Sequence, residues 1–459
     1  MRSTQSADHH DDWENEDSRN STRVVVAFAE PIEDERYYFR SFLPSKIGGK
    51  PAWLNPRNLP SPADLQCKQC KKPLKFLLQM YCPLDDLADF EHCHHRTMYV
   101  FICGQPSCCG KAGSLKVFRC QLPIQNEFYE DWESQCTELE TRDKEDILLE
   151  KLSAFECVRI EPYPDVHNCI VCGHLGSFKC GQCKNPLIHY CCKDHQRYHW
   201  RKQHREYCRK RKVLETEQQI MECLKDYPFP IFDIVPEPEP LPDPEHDALS
   251  MKMKRLKIKS NSEEEKGSKG GDDGYSDADL KLLEEQMARD FDDVYLRFQD
   301  RVQRAPAQVI RYADRANFGW SDGGDPDEVD AECKDGDGFD DEEEIGNSTG
   351  WDQPLWMGAQ GMLDRKDVPE CPKCGGERKF EFQVMPQLLS VLKQGVNDLD
   401  WGSLVVYSCP NSCGDGHEGY FEEFIHYQAS YGAFEQRDGD GWIGLTAIQR
   451  SYIQSIDSR

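Results

Sequence analysis

The chain writes one short phrase twice. Residues 67–79 read CKQCKKPLKFLLQ and residues 371–383 read CPKCGGERKFEFQ, so Lys75, Phe76 and Gln79 follow a Cys-x-x-Cys pair at the same offsets as Lys379, Phe380 and Gln383. The echo extends both ways. PAWL at 51–54 parallels PLWM at 354–357, and the strand-like runs MYVFIC (98–103) and LVVYSC (404–409) each end in a cysteine that opens a second pair, Cys103 with Cys108 and Cys409 with Cys413. Matching elements in the same order make an internal repeat. The simplest arrangement is two similar β-rich halves that bury their apolar faces against each other, with everything between them inserted.

The insertion carries the densest chemistry. NCIVCGHLGSFKCGQCKNPLIHYCCKDHQRYHWRKQHREYC, residues 168–208, offers Cys169 with Cys172, Cys180 with Cys183, Cys191 with His195 and His204 with Cys208. Pairs three or four residues apart deliver two donors from one tight turn or one helical face, and eight donors suit two closed tetrahedral zinc sites. A module with so few large apolar residues cannot fold by burial alone; metal would supply its folding free energy, roughly 10–16 kcal/mol per site. Spacing that accounts for all eight donors leaves no open coordination position, so these zincs are expected to be structural. His189, His199 and Cys192 fall outside the pattern and read as supporting or surface residues.

Redox context favours metal over disulfides. The N-terminal MRSTQSADHHDDWENEDSRNS is polar and acidic where a signal peptide needs an apolar stretch, and no run of about 18 apolar residues occurs, so an intracellular chain is expected. In a reducing compartment the 23 cysteines turn toward metal or stay as thiols. The flanking quartets, Cys67, Cys70, Cys103, Cys108 and Cys371, Cys374, Cys409, Cys413, look like zinc ribbons, with reduced structural cysteines as the alternative and Cys109 competing with Cys108. Fourteen cysteines are then used, and nine remain as scattered thiols.

Composition divides the chain further. The expected segments are a disordered tail at 1–22, an N-terminal β-rich half at 23–160, the zinc module at 161–210, a disordered linker at 211–276, a helix with a lead-in strand at 277–321, an acidic loop at 322–347 and a C-terminal β-rich half at 348–459. EPEPLPDPEHD and KSNSEEEKGSKGGDDG mark the linker. Met287, Phe291, Val294, Tyr295, Phe298 and Val302 recur at helical spacing between Leu283 and Val302, with Ser276 and Asp277 as caps. Between Asp322 and Glu344 thirteen acids face a single Lys, which repels a packed element. Within it, Asp335-Gly-Asp-Gly-Phe339-Asp340 puts Phe339 where a calcium loop needs an oxygen and Asp340 where it needs glycine. Trp53, Trp356 and Trp401 serve either as core or as contact aromatics. The fold class expected is mainly β with α, a pseudo-symmetric duplicated domain with zinc-ribbon-like knuckles.

A formal charge of −27 repels phosphate backbones and attracts basic proteins. No direct nucleic-acid or membrane partner is expected. Residues 193–212 oppose this locally with nine Lys or Arg against two acids, which suits a solvated basic helix, nucleic-acid contact or nuclear import. No phosphate-cradling GxxxxGK[ST], G-x-S-x-G elbow or HExxH occurs, and an enzyme is not expected.

Two resemblances sharpen these readings. The spacing from Tyr190 to Gln196, then Trp200, His204 and Cys208, resembles a MYND zinc finger. The pairs of that family cross-brace, which implies Cys169, Cys172, Cys191 and His195 on one zinc and Cys180, Cys183, His204 and Cys208 on the other. His195 stands where many members carry cysteine, a change zinc tolerates. MYND fingers also occur in lysine methyltransferases, but neither flank matches their cofactor-binding SET domain. IGGKPAWL, the CxxC phrase, VFRCQLP (117–123), the finger, CPKCGGERKFEFQVMPQLL and LDWGSLVVYSCPNSC together resemble the programmed cell death protein 2 family. That resemblance implies a dedicated chaperone for a newly made small-subunit ribosomal protein, the eukaryotic counterpart of bacterial protein S five, acting in small-subunit biogenesis without ATP. Shuttling between cytoplasm and nucleus fits, KMKRLKIK at 252–259 suiting import. The alternative is a nuclear adaptor whose finger binds proline-containing peptides of transcriptional regulators.

Overall fold

The strands that carry the repeat organise the architecture. In a computed structural model, which describes residues 24–32, 44–84, 90–129, 166–210, 215–241, 293–313, 353–392, 399–414 and 419–430, the first copy of the phrase forms β3 (Lys75–Tyr81) and the second forms β10 (Lys379–Val384). MYVFIC becomes β4 (His95–Ile102) and LVVYSC becomes β11 (Ser403–Ser408). Each copy bulges at the same place: the β3–β4 register slips between Phe76 and Leu78, and the β10–β11 register between Phe380 and Phe382. The shared glutamine explains another part of the echo. Gln79 Oε1 accepts from the Ala52 backbone N–H at 2.9 Å and Gln383 Oε1 from the Leu355 N–H at 2.5 Å, so each buried amide ties down its own Pro-x-Trp segment.

The two copies bury their apolar faces against each other, as the repeat implies, but they do so as parts of one closed sheet. Together with β1 (Val24–Pro31), β2 (Lys46–Ile47), β5 (Leu115–Leu122), β8 (Phe232–Pro238), β9 (Ile310–Ala313) and β12 (Tyr420–Gln428), they close one antiparallel barrel in the order β1-β8-β2-β3-β4-β5-β12-β11-β10-β9, while β6 (Phe178–Lys179) and β7 (His189–Tyr190) pair only with each other. The copies meet edge to edge at one seam, Val117–Cys120 against Tyr420–Glu423, and β9 bridges the other, pairing with Val24–Ala27 on one side and Phe382–Val384 on the other. A half standing alone would expose unpaired backbone donors and acceptors at both edges, and closure satisfies them. One shared interior results, in which Met98, Val100 and Ile102 of β4 join Phe382 and Val384 of β10, Leu404 and Val406 of β11, and Trp401.

The stretch expected to be a disordered linker, 211–276, supplies a helix and a barrel strand. Helix Glu217–Leu224 opens on a capping box between Thr216 and Gln219, and β8 inserts between β1 and β2. The prolines that suggested a linker are tolerated for a local reason. β2 pairs only Asp233 and Phe232, so Pro236 and Pro238 lie where β8 has β1 alone as neighbour, as on an edge strand. Gly48 makes room nearby: at φ +68° it lies so close to the chain leading into β8 that a Cβ would sit 1.9 Å from the Pro230 carbonyl oxygen.

A helix also forms at Asp293–Arg304, where Tyr295 and Phe298 pack with Met357 and Met385. The part of the expected helix before 293 lies outside the described residues, as do the tail at 1–22 and the acidic loop at 322–347. All three tryptophans in question are core: Trp401, Trp53 and Trp356 are 0%, 3% and 8% exposed.

Charges are buried as well. Arg96 of β4 pairs with Glu381 of β10 through two contacts, Nη1–Oε1 at 2.8 Å and Nη2–Oε2 at 2.9 Å, although the two strands are not neighbours in the barrel. Glu423 of β12 lies between Arg119 Nε and Arg378 Nε, each at 2.8 Å. Every one of these five side chains is nearly sealed from solvent. Such groups persist in a core only when paired and hydrogen-bonded.

Candidate metal centres

Four Cys-x-x-Cys turns share one backbone geometry. The residue after the second cysteine takes the left-handed conformation in each: Lys71 at φ 59°, Gly173 at 79°, Lys184 at 55° and Gly375 at 71°. In three of them its amide donates to the carbonyl of the first cysteine, at 3.0 Å for Lys71 and 2.8 Å for Gly173 and Gly375. The turn thus aims two sulfurs to one side. Glycine in two of the four positions was the available sequence signal, and lysine in the other two concealed it.

Each turn meets a second pair brought from elsewhere. Four clusters result, Cys67/Cys70/Cys103/Cys108, Cys169/Cys172/Cys191/His195, Cys180/Cys183/His204/Cys208 and Cys371/Cys374/Cys409/Cys413, with the donor atoms of each within 4.8 Å of one another. Every donor named in the sequence is brought into its expected cluster. The choice between Cys108 and Cys109 is made by the short turn at Pro106–Cys108, which points Cys108 inward, while Cys109 Sγ donates to the Asp400 carbonyl at 3.0 Å.

Distances test whether these donors fit a metal. Sulfur pairs lie 3.6 Å apart for Cys70–Cys103 and Cys172–Cys191, 3.7 Å for Cys180–Cys208, 3.4 Å for Cys371–Cys413 and 3.5 Å for Cys374–Cys409. A disulfide requires about 2.05 Å, and no disulfide joins any described cysteine. The edge of a tetrahedron with metal–sulfur bonds of about 2.3 Å is about 3.8 Å. The clusters therefore have the dimensions of tetrahedral metal sites. Each also holds one thiol below its ordinary range, while burial and the neighbouring sulfurs push others up, Cys103 and Cys108, Cys172 and Cys191, Cys183 and Cys208, and Cys409 and Cys413. Burial pushes the four lowered thiols up as well, but hydrogen bonds outweigh it: from the Lys72 backbone and neighbouring thiols at Cys70, from Cys172, Cys191 and His195 at Cys169, from the Cys183 backbone and His204 at Cys180 (about 6), and from the Cys374 and Lys373 backbones at Cys371 (about 7). Thiolate is the form that ligates.

The finger's helical part depends on a π turn. Helix Lys193–His199 runs into a π-helical turn at Trp200–His204 and on into Arg205–Lys210. In an ordinary α-helix residues five apart point away from each other, but the wider turn stacks His199 on His204, ring centroids 4.9 Å apart. Both then reach the carboxylate of Glu215, His204 Nδ1 at 2.8 Å and His199 Nε2 at 3.2 Å. Burial pushes Glu215 up, but these two histidines outweigh it and hold its carboxyl at about 2. Of the side chains outside the ligand pattern, Cys192 caps the helix by accepting from the His195 amide, and His189 stacks on His167 at 3.8 Å. The finger docks on the barrel through Trp53, whose Nε1 donates to the Gly173 carbonyl at 2.7 Å, and through Phe101 against His174. Glu215 and Tyr227, both partners of cluster histidines, were not singled out from the sequence because they lie past the last candidate donor, in what read as linker.

Comparison with known proteins places this arrangement. The model of the programmed cell death protein 2 N-terminal domain matches residues 23–136, and that of its C-terminal putative domain matches residues 347–429. Programmed cell death protein 2 of Mus musculus is 33% identical over 408 residues, covering 88% of this chain and 96% of that protein. The chain belongs to the programmed cell death protein 2 family. The Bos taurus protein of the same name is 32% identical over 413 residues, 90% of this chain and 98% of its own length. Programmed cell death protein 2-like of Homo sapiens is 24% identical over 395 residues, 84% and 89% of the two chains. No solved structure matches. The two family segments coincide with the two repeat copies: the first holds β1–β5 with one cysteine quartet, the second β10–β12 with the other. The finger, β8 and β9 lie between them in sequence, and of these β8 and β9 complete the barrel in space.

Proposed function

We propose that the chain is an ATP-independent escort that holds a newly made, basic ribosomal protein of the small subunit until assembly, with zinc as a structural metal in all four centres. The observation that carries the reading is charge on this family's scaffold: a formal −27 against clients that are strongly basic and bind stray RNA when alone. Complementary fields speed encounter and disfavour wrong partners. The donor sets agree with a structural role for zinc. Cys169, Cys172, Cys191 with His195 and Cys180, Cys183, His204 with Cys208 would fill two coordination shells, and the two cysteine quartets two more, leaving no open position for substrate. Bound zinc supplies folding free energy to turns that have little core of their own. Among the described residues no helix is long and apolar enough to cross a membrane, and an escort of this kind would work in cytoplasm and nucleus.

A second reading rests on the finger's surface. Phe178 and Leu187 are 48% and 45% exposed, large apolar side chains that suit an adaptor binding proline-containing peptides. One experiment separates the two. Tagged full-length protein is captured from cells with and without ongoing ribosome synthesis, and its partners are identified by mass spectrometry. A single small-subunit ribosomal protein at near-equal stoichiometry, lost when synthesis stops, is expected. Capture of transcriptional regulators instead, abolished by Phe178→Ser with Leu187→Ser, supports the adaptor and removes the escort.

A further inference from the structure

The chain just beyond the finger touches the outward nitrogen of both ligand histidines. His195 turns Nδ1 toward its cluster, 3.5 Å from Cys169 Sγ and 3.1 Å from Cys191 Sγ, and its Nε2 lies 2.5 Å from the Tyr227 hydroxyl. His204 is oriented the other way round, with Nε2 3.6 Å from Cys183 Sγ and Nδ1 2.8 Å from Glu215 Oε2. A histidine that ligates through one nitrogen as neutral imidazole carries its proton on the other, so Tyr227 and Glu215 each face an N–H donor. Both acceptors come from one short stretch, residues 215–227. Each is itself anchored. Glu215 is 2% exposed, with its backbone carbonyl accepting from Asn185 Nδ2 at 2.8 Å, and the Tyr227 ring stands edge-on to His195 at 4.8 Å.

The same stretch then enters the barrel. Two residues past Tyr227, Phe229 is 3% exposed in the barrel core, and its carbonyl accepts from the Gly49 amide at 2.9 Å. Lys75 Nζ, at the start of β3, lies 5.1 Å from the ring centres of both Tyr227 and Phe229. β8 begins at Phe232 and fills the gap between β1 and β2. The metal centres of the finger and the closure of the barrel therefore share a fifteen-residue strap, Glu215 to Phe229.

We propose that Glu215 and Tyr227 are positioning residues for the two metal centres of the finger, and that through them metal occupancy of the finger fixes β8 in the barrel. The inference rests on the reading that these clusters hold zinc. Glu215 sets the ring of His204 and raises its basicity, and Tyr227 does the same for His195. Loss of metal frees both rings, releases the strap at two points and loosens the strand that follows it.

The test uses the zinc-loaded full-length chain, its Glu215→Gln and Tyr227→Phe variants, and Glu215→Asp as the conservative control. Zinc content is measured first, then transfer to a competing chelator, the d–d spectrum of cobalt-loaded protein, and amide exchange across residues 232–238. Each variant is expected to weaken metal binding about 10–100-fold at its own centre only. Glu215→Gln should affect the Cys180 centre, Tyr227→Phe the Cys169 centre, and Glu215→Asp should recover part of the loss and shift the cobalt bands back toward wild type. Removing the two finger zincs should speed exchange in β8 while the flanking quartets stay loaded. Variants that hold zinc as tightly as wild type overturn the inference, as does β8 exchange indifferent to finger metal. A wild-type chain with five zincs, falling to four in Glu215→Gln, makes Glu215 a ligand beside His199 and overturns it too. A wild-type chain without zinc removes the metal reading and this inference together, whereas zinc-replete wild type with indifferent variants removes the inference alone.

Discussion

Removing the carboxylate of Glu381 isolates a buried charge that links β4 of one repeat copy to β10 of the other. Arg96 is completely buried, and its two terminal nitrogens face the two oxygens of Glu381 at 2.8 and 2.9 Å. Deleting one partner of a buried pair costs about 3–5 kcal/mol because the other charge stays desolvated. Arg96 would keep the Cys82 carbonyl and the Ser408 hydroxyl, at 3.2 and 3.3 Å. Those contacts place Glu381→Gln near the lower end, about 3 kcal/mol, a factor of roughly 150 in the folding equilibrium. Replacing both partners by apolar side chains removes the stranded charge, so Arg96→Met with Glu381→Leu should lie within about 1 kcal/mol of wild type. The assay is equilibrium urea unfolding of zinc-saturated protein followed by tryptophan fluorescence, with the single variants Arg96→Met and Glu381→Leu completing the double-mutant cycle. The result that refutes the reasoning is additivity: a double variant as unstable as the two single losses combined means the pair is not a coupled unit.

Gln383→Met leaves the Leu355 amide without its acceptor and should cost about 1–3 kcal/mol, with the loop 354–357 exchanging faster; protection of that loop equal to wild type counts against the role given to the repeated glutamine. Gly375→Ala meets nothing within 4 Å, so only its φ of +71° opposes the change, and a loss of about 1 kcal/mol in urea unfolding is expected; an unchanged midpoint contradicts a left-handed turn there. Burial, aided by Lys50, lowers Lys46 to about 7, against an ordinary lysine value of roughly 10.4. Between those values the unfolded chain binds a proton that the folded chain does not, so this residue makes stability climb with pH across that window, and Lys46→Met should flatten the climb. Wild type and variant with the same pH slope would falsify the assignment.

Much of this molecule was legible in its amino-acid order because metal donors work locally. Two cysteines separated by two residues, or Cys191 and His195 four apart, are delivered by a single turn whatever the rest of the chain does, so spacing alone grouped the donors into pairs. How pairs combine over thirty or forty residues was less constrained, and the cross-braced pattern of the finger came through resemblance. The repeat was also visible, since Gln79 and Gln383 each bond within their own copy.

Tertiary structure alone decided how the copies join. Hydrophobic alternation states which face of a strand is buried but not which edge meets which, so stacked halves and one closed barrel are equally compatible with the pattern. The barrel wins by pairing both free edges, and that choice brings Arg96 to Glu381 across 285 residues. β8 was hidden by its prolines, which mark a linker unless a neighbouring strand stops short, as β2 does. Glu215 and Tyr227 were hidden for a related reason. A hydrogen bond to the far side of a ligand has no fixed spacing from it, so the local order determined the metal donors, and only the folded chain determined what holds them in place.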